Sequence, residues 1–239
     1  MLDVQGLSAG YGDVSILKDV SLSVPDGKLV VLTGPNGHGK TTLLRALSGV
    51  LPSTAGSITF AGKDIRNHRP SDIVGLGLVH VPQGDLLFQE LSVEQNLYMG
   101  AYRRDAWKRR RSGVKQVFSL FPQLEDRKGQ QSRTLSGGER RMVALGRGLM
   151  AGARLLMVDE PALGLAPVLV EEVYSKLAQI VHDLGTTILL VEESLTNAES
   201  LADYVYVMEK GVVVAEGTVP EVRASGVLES AYLGTGALE

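Results

Sequence analysis

With 239 residues, 44% of them hydrophobic and 21% charged, the chain has enough apolar material for a substantial core. That core is either one large domain or a core carrying an inserted subdomain. A net charge of −3 gives no global attraction for a polyanion, so any anionic ligand must be held locally. The absence of cysteine excludes disulfides, thiolate catalysis and cysteine metal sites.

Residues 2–7 and 20–24 alternate polar and apolar side chains, which predicts half-buried strands, with Pro25-Asp-Gly27 as a turn. Leu29-Val-Val-Leu-Thr33 is a continuous apolar run of the kind buried on both faces of a parallel sheet. It leads into a glycine-rich loop, then into a helix in which Leu43, Leu44 and Leu47 share a face and Gly49 is the stop. Ser57–Phe60, Leu78–Val81, Leu155–Val158 and Thr186–Val191 read as further strands. Residues 168–184 put Val170, Val173, Leu177, Ile180, Val181 and Leu184 on one helical face before Gly185, and Tyr204–Met208 with Val212–Ala215 reads as a hairpin. Residues from about 91 to 150 are helical in pattern, break at Pro122, and carry the run Arg103-Arg-Asp-Ala-Trp-Lys-Arg-Arg-Arg111. The expectation is a single α/β domain over 1–239, a mainly parallel sheet with an antiparallel β subdomain in 1–90 and 151–239, and a helical subdomain at about 91–150.

Gly34-Pro-Asn-Gly-His-Gly-Lys-Thr-Thr42 matches G-x-x-x-x-G-K-[ST] and sits between a strand and a helix, as that phosphate loop requires. The loop of Gly34, Pro35, Asn36, Gly37, His38 and Gly39 presents backbone amides at a helix start and cradles phosphates. Lys40 reaches the β- and γ-phosphates, and Thr41, followed by Thr42, offers a hydroxyl to magnesium. Leu155-Leu-Met-Val-Asp-Glu160 carries Asp159 to the end of a strand, where α/β sheets bind ligands. Asp159 is then a magnesium ligand through water and Glu160 a general base for the attacking water. Gln83, after the strand at 78–81, adds a candidate side-chain oxygen for the metal. The cofactors expected are ATP and magnesium.

Between these segments, Thr134-Leu-Ser-Gly-Gly-Glu-Arg-Arg141 resembles the signature motif of ATP-binding cassette (ABC) ATPases. That resemblance implies a second anion site at Ser136, Gly137 and Gly138, closing over the γ-phosphate of a homologous or identical subunit in a head-to-tail dimer. It also implies that Tyr11 stacks on adenine. Ser8-Ala-Gly-Tyr-Gly12, Leu91–Leu97, Gly100-Ala-Tyr102, Leu120-Phe-Pro-Gln-Leu124, Glu160–Val168 and Ala231-Tyr-Leu-Gly234 are similar to ATP-binding subunits of branched-chain amino-acid importers and their urea- and amide-importing relatives. Gly164-Leu-Ala-Pro167 is the most telling, because most transporter ATPases have aspartate where Ala166 stands. Membrane permease subunits, docking near residues 84–102, and a separate substrate-binding protein are the implied partners.

Three positions depart from the pattern. His38 replaces a small loop residue, Arg140-Arg141 follows the signature where glutamines are commoner, and Glu193 stands at the switch position where the family has histidine or glutamine. A carboxylate 4 Å from a phosphate charge is repelled by about 4 kcal/mol at an effective dielectric near 20, which predicts slow intrinsic hydrolysis. A lipopolysaccharide- or lipid-extracting ABC ATPase shares Gly-Gly-Glu-Arg-Arg, but Gly164-Leu-Ala-Pro167 argues against it. Soluble ABC ATPases acting on nucleic acid or ribosomes carry tandem cassettes or long coiled-coil insertions, so no nucleic-acid partner is expected. The basic run at 103–111 then reads as a solvated helix face, with Trp107 as a packing anchor, and Glu192-Glu193 as a solvated pair. With no signal-peptide pattern at the N-terminus and no run near the roughly 20 apolar residues of a bilayer span, the expected location is cytoplasmic, on the inner face of the membrane.

Overall fold

The structure, a computed structural model, describes residues 1–233; the closing Gly234 of the Ala231-Tyr-Leu-Gly motif lies outside them. In chain order, β1 (Leu2–Tyr11), β2 (Val14–Val24) and β3 (Leu29–Thr33) precede α1 (Lys40–Leu47), β4 (Ser53–Phe60) and β5 (Lys63–Asp64). Next come α2 (Pro70–Leu76), β6 (Leu78–Val81), and the helices α3 (Val93–Gly100), α4 (Arg104–Lys108), α5 (Arg110–Leu120), α6 (Pro122–Asp126) and α7 (Gly137–Met150). The chain continues through β7 (Leu155–Asp159), α8 (Pro167–Leu184), β8 (Thr187–Glu192), β9 (Tyr204–Glu209), β10 (Val212–Gly217), α9 (Val219–Ala224) and α10 (Val227–Leu233).

The strands form two sheets. A six-stranded sheet runs β10-β9-β3-β8-β7-β6, parallel except for the β9/β10 hairpin, and a four-stranded antiparallel sheet runs β2-β1-β4-β5. The continuous apolar runs follow from which face each residue takes. Leu29, Val31, Leu156, Val158, Ile188 and Leu190 join one core under the helices, whereas Val30, Leu32, Leu155, Met157, Leu189 and Val191 join a second core beneath the antiparallel sheet. Both faces of β3, β7 and β8 are therefore covered, and no polar alternation is left to read. Tyr206 of β9 ties the two layers, its hydroxyl accepting from Ser23 N at 2.9 Å.

The helices behave as their periodicity dictates. Leu43, Leu44 and Leu47 are buried on α1, and Val173, Leu177 and Ile180 on α8, which ends at Gly185 in the left-handed conformation. Pro122 does not simply stop a helix; it stands at the first turn of α6, where a missing N–H costs nothing. Five helices, α3 to α7, occupy the stretch from Val93 to Met150. On α4 and α5, Trp107 meets Tyr98 edge-on at 6.3 Å, lies 4.1 Å under the Arg110 guanidinium, and stays 46% exposed, so it anchors by one face only.

Several boundaries differ from expectation. β1 and β2 run on to Tyr11 and back to Val14, and β4 begins at Ser53 rather than Ser57. The missed parts lie where the β1 pairings shift register, at Val4/Leu7, Gln5/Ser8 and Ala9/Gly10, so that alternation breaks inside a continuous strand. β8 starts one residue later and extends through Glu192. The expected hairpin exists, and its first strand also pairs in parallel with β3.

Candidate nucleotide site

Six residues, Gly34–Gly39, join the end of β3 to α1 and wrap around the first helical side chain. Lys40 is 4% exposed, and its ammonium donates to the carbonyls of Gly34 at 2.6 Å and Pro35 at 3.0 Å. Gly34 adopts φ 148°, and a Cβ there would lie 2.1 Å from Met208 O, so only glycine lets the loop pass over β9. Gly211, at the β9/β10 turn, braces the loop from outside. Its N–H donates to His38 O at 3.0 Å while its carbonyl accepts from Lys18 N at 2.9 Å. His38 is thus held through its backbone, and its buried Nδ1 has no hydrogen-bond partner among the described residues. Asn36 and Gly37 are exposed, Thr41 and Thr42 half-buried, and α1 has no acidic residue in its first turn. A helix start with that composition favours an anion.

Four carboxylates surround Lys40. Burial lowers the pKa of its ammonium, while Glu160, Glu193, Asp159 and Glu192 act in the opposite direction. Asp159 ends β7 at 1% exposure, and among the described residues neither carboxylate oxygen has a hydrogen-bond partner. Burial raises its pKa, with the Thr41 hydroxyl and the Lys40 and Arg45 charges pulling it back. Two orphaned oxygens on a buried acid beside a threonine hydroxyl are what a hard cation relieves. Among the described residues no three His, Cys, Asp or Glu side chains converge on a metal cage. A magnesium ion held by Thr41, Asp159 and Gln83 would therefore complete its shell with phosphate oxygens and water.

Glu160 follows in a left-handed conformation, φ 44°, with its N–H donating to Val191 O at 2.9 Å. Such backbone costs about 1–3 kcal/mol and persists where its surroundings enforce it. Its Oε2 accepts from Gln83 Nε2 at 2.9 Å, which leaves the other amide atom of Gln83, its oxygen, for a metal. Burial raises the Glu160 pKa, against Lys40 and with Asp159 and Glu193, which suits a proton acceptor. Glu193 is exposed at the end of β8 and adds its charge to both Lys40 and Glu160.

Glu192 corrects the reading of Glu192-Glu193 as a solvated pair. It is 8% exposed, and the Tyr174 hydroxyl of α8 donates to its Oε1. Burial pushes its pKa to about 7 from 4.5, helped by Glu160 and Asp159 and opposed by the Tyr174 hydrogen bond and Lys40. A carboxyl that holds its proton longer when folded contributes stability that is full below its unfolded pKa and is lost as pH rises towards 7. Glu192→Gln is accordingly expected to change the melting temperature little at pH 5 and to raise it relative to the native chain at pH 8. Thermal melts at both pH values check this, and an equal shift at both contradicts it.

Four expected residues, Tyr11, Ser136, Gly137 and Gly138, are not among the groups that bond to Lys40 or act on its charge. Tyr11, at the end of β1, is 44% exposed and accepts from Arg45 Nη1 at 2.9 Å, leaving its ring open to a planar partner. Ser136 caps α7, its Oγ accepting from Glu139 N at 3.3 Å while Glu139 Oε2 accepts from Ser136 N at 2.8 Å. Part of that anion-favouring helix start is thus taken by the chain's own Glu139. Gly137 and Gly138 lie beneath Leu165 and Leu169, so the Gly164-Leu-Ala-Pro167 segment packs on the signature turn of the same chain. None of the hydrogen bonds of Ser136 among the described residues reaches the Lys40 loop.

Arg140 and Arg141 gain a purpose that sequence reading missed. Both form ion pairs with Asp85, at 3.4 and 3.2 Å, and Arg147 of the same helix donates to the carbonyls of Asp85 at 3.1 Å and Leu86 at 2.8 Å. Gly84, Asp85 and Leu86 all have positive φ, so α7 clasps a strained loop directly after Gln83. Beside it opens a groove of ≈ 490 Å³ lined by Val81, Leu86, Phe88, Met99, Tyr102 and Arg147, several of them exposed apolar residues.

The family described as ABC transporter matches residues 17–163. The high-affinity branched-chain amino acid transport ATP-binding protein BraG of Pseudomonas aeruginosa is 38% identical over 234 residues, spanning 98% of this chain and 100% of that protein. The probable branched-chain amino acid transport ATP-binding protein LivF of Archaeoglobus fulgidus is 33% identical over 234 residues, spanning 98% and 99%. Among solved structures, the ADP conformation of MJ1267, an ATP-binding cassette of an ABC transporter, superposes with a TM-score of 0.87 at 26% identity, covering 98% of each chain.

Proposed function

The chain belongs to the ABC transporter ATP-binding family and is an ABC-type ATPase; from that premise we infer that it powers import of a branched-chain amino acid or a closely related small solute. The observation that carries the substrate class is the likeness to BraG, at 38% identity over 98% of this chain and 100% of that protein. No helix among the described residues is long and apolar enough to cross a membrane; in the proposed system permease subunits supply the path across it. The groove beside the clasped loop 84–86 supports docking of a permease helix on residues 84–102, on the inner face of the membrane. A substrate-binding protein completes the proposed system.

In the proposed reaction, Lys40 and the amides of the 34–39 loop hold the triphosphate, and Tyr11 stacks on adenine. Magnesium, held by Thr41, Gln83 and Asp159, would neutralise charge on the β- and γ-phosphoryl oxygens. Glu160 takes a proton from water as the water oxygen bonds to the γ-phosphorus, and the bond from that phosphorus to the β–γ bridging oxygen breaks to release ADP. Ser136, Gly137 and Gly138 of a second, identical or homologous ATPase subunit close the site over the γ-phosphate.

Uptake of labelled solute into vesicles carrying this chain with its neighbouring permease and binding protein tests the assignment. ATP-dependent leucine, isoleucine or valine uptake is expected; uptake of none of these nor of urea or short amides, with lipid extraction instead, contradicts it. For turnover, Glu193→Gln and Glu193→His are each expected to raise the ATPase rate severalfold by removing a charge facing the γ-phosphate. A rate unchanged or lower in both variants refutes that role.

A further inference from the structure

β3 and β8 are neighbours up to Thr33 and Glu192, their last registered pair. Beyond it the chains part, β3 into the phosphate loop at Gly34 and β8 into the segment that begins with Glu193. The Glu193 carbonyl lies past that last pair, and Thr33 Oγ1 of β3 stands 3.4 Å from it, a long contact for two oxygens. The C-terminal helix fills this gap. Tyr232 places its hydroxyl 2.8 Å from Thr33 Oγ1 and donates to the Glu193 carbonyl. The resulting chain runs from the Thr33 hydroxyl to the Tyr232 hydroxyl to the Glu193 carbonyl.

The tyrosine is well placed to stay there. Leu228 and Ala231, one helical turn apart on α10, are buried in the core shared with β3, β8 and β9, which fixes the helix independently of the hydroxyl. Tyr232 is 40% exposed overall, and burial foremost, with Glu193 and Glu192, raises its phenol's pKa against the hydrogen bonds of Thr33 and the Gly34 backbone, so it remains a donor at neutral pH. Thr33 is fully buried, and its side chain gains in Tyr232 a near partner that the ladder does not supply.

We propose that Tyr232 is a positioning residue for ATP hydrolysis, holding the backbone of Glu193 against the end of β3 so that the switch segment keeps one orientation towards the Lys40 and Glu160 cluster. The proposal rests on the site assigned to Glu193. Glu193→Gln tests the side chain of that residue and Tyr232→Phe its backbone, so failure of one assignment is distinguishable from failure of the other.

Tyr232→Phe keeps the ring and removes the single proton at issue. In the full-length chain it is expected to raise kcat for ATP about fivefold, the worth of one hydrogen bond, because the freed segment lets the Glu193 carboxylate turn from the γ-phosphate, while KM stays within about twofold. Amide hydrogen exchange, followed by mass spectrometry on the same protein, is expected to rise in residues 193–198 and not in the β3, β7 or α8 core. A native kcat overturns the proposal. So does exchange that rises together through α10, β8 and β9, because that pattern marks a structural anchor rather than a group that orients one segment.

Discussion

Lys40→Ala is expected to reduce ATP hydrolysis by roughly two to three orders of magnitude, with binding of the triphosphate also weakened. The ammonium does two jobs at once. It satisfies the carbonyls of Gly34 and Pro35, which shapes the loop, and among the described residues it is the one cation on which Asp159, Glu160, Glu192 and Glu193 all act. Alanine leaves four carboxylates beside an anionic substrate with the weaker influence of Arg45 to offset Asp159. Phosphate release at saturating ATP and magnesium measures the effect, and full turnover in the variant would remove Lys40 from the mechanism.

Glu160→Gln separates binding from chemistry. Glutamine preserves the volume and still accepts from Gln83 Nε2, so the left-handed turn at residue 160 and its N–H bond to Val191 survive. What it loses is the proton acceptor, worth about 10²–10⁴ in rate for a positioned general base. It also removes one negative charge from the cluster, so ATP affinity is expected to hold or tighten. Calorimetric affinity combined with single-turnover hydrolysis checks both halves. A variant that hydrolyses ATP at the native rate contradicts the role of Glu160, and one that fails to bind ATP shows that the carboxylate serves the fold instead.

The motifs legible in sequence were those whose chemistry is local. A strand, six loop residues and a helix are contiguous, so Gly34–Thr42 could be read as a phosphate cradle, and Asp159-Glu160 as a strand-end pair beside it. The two-faced burial of β3, β7 and β8 was equally readable, because an unbroken aliphatic run of strand length leaves no face fit for water. What escaped depends on partners distant in sequence. Glu192 looks like its exposed neighbour until Tyr174 of α8 covers it, and Tyr232 meets Thr33 across 199 residues. Arg140-Arg141 looked like a departure from a family pattern; their meaning lies in Asp85, 55 residues earlier for Arg140. The extent of β1 and β4 was missed for a different reason, since register shifts interrupt the alternation that reveals a strand.

The central claim is that one copy's Lys40 loop and another's Ser136 edge enclose a single triphosphate. Light scattering on Glu160→Gln, with and without magnesium-ATP, tests it most directly, because slowed hydrolysis lets the closed assembly accumulate. The account expects the molar mass to rise from that of one 25.5 kDa chain to twice that value on adding ATP, and to fall back with ADP. A mass that remains at one chain while ATP is demonstrably bound would contradict it.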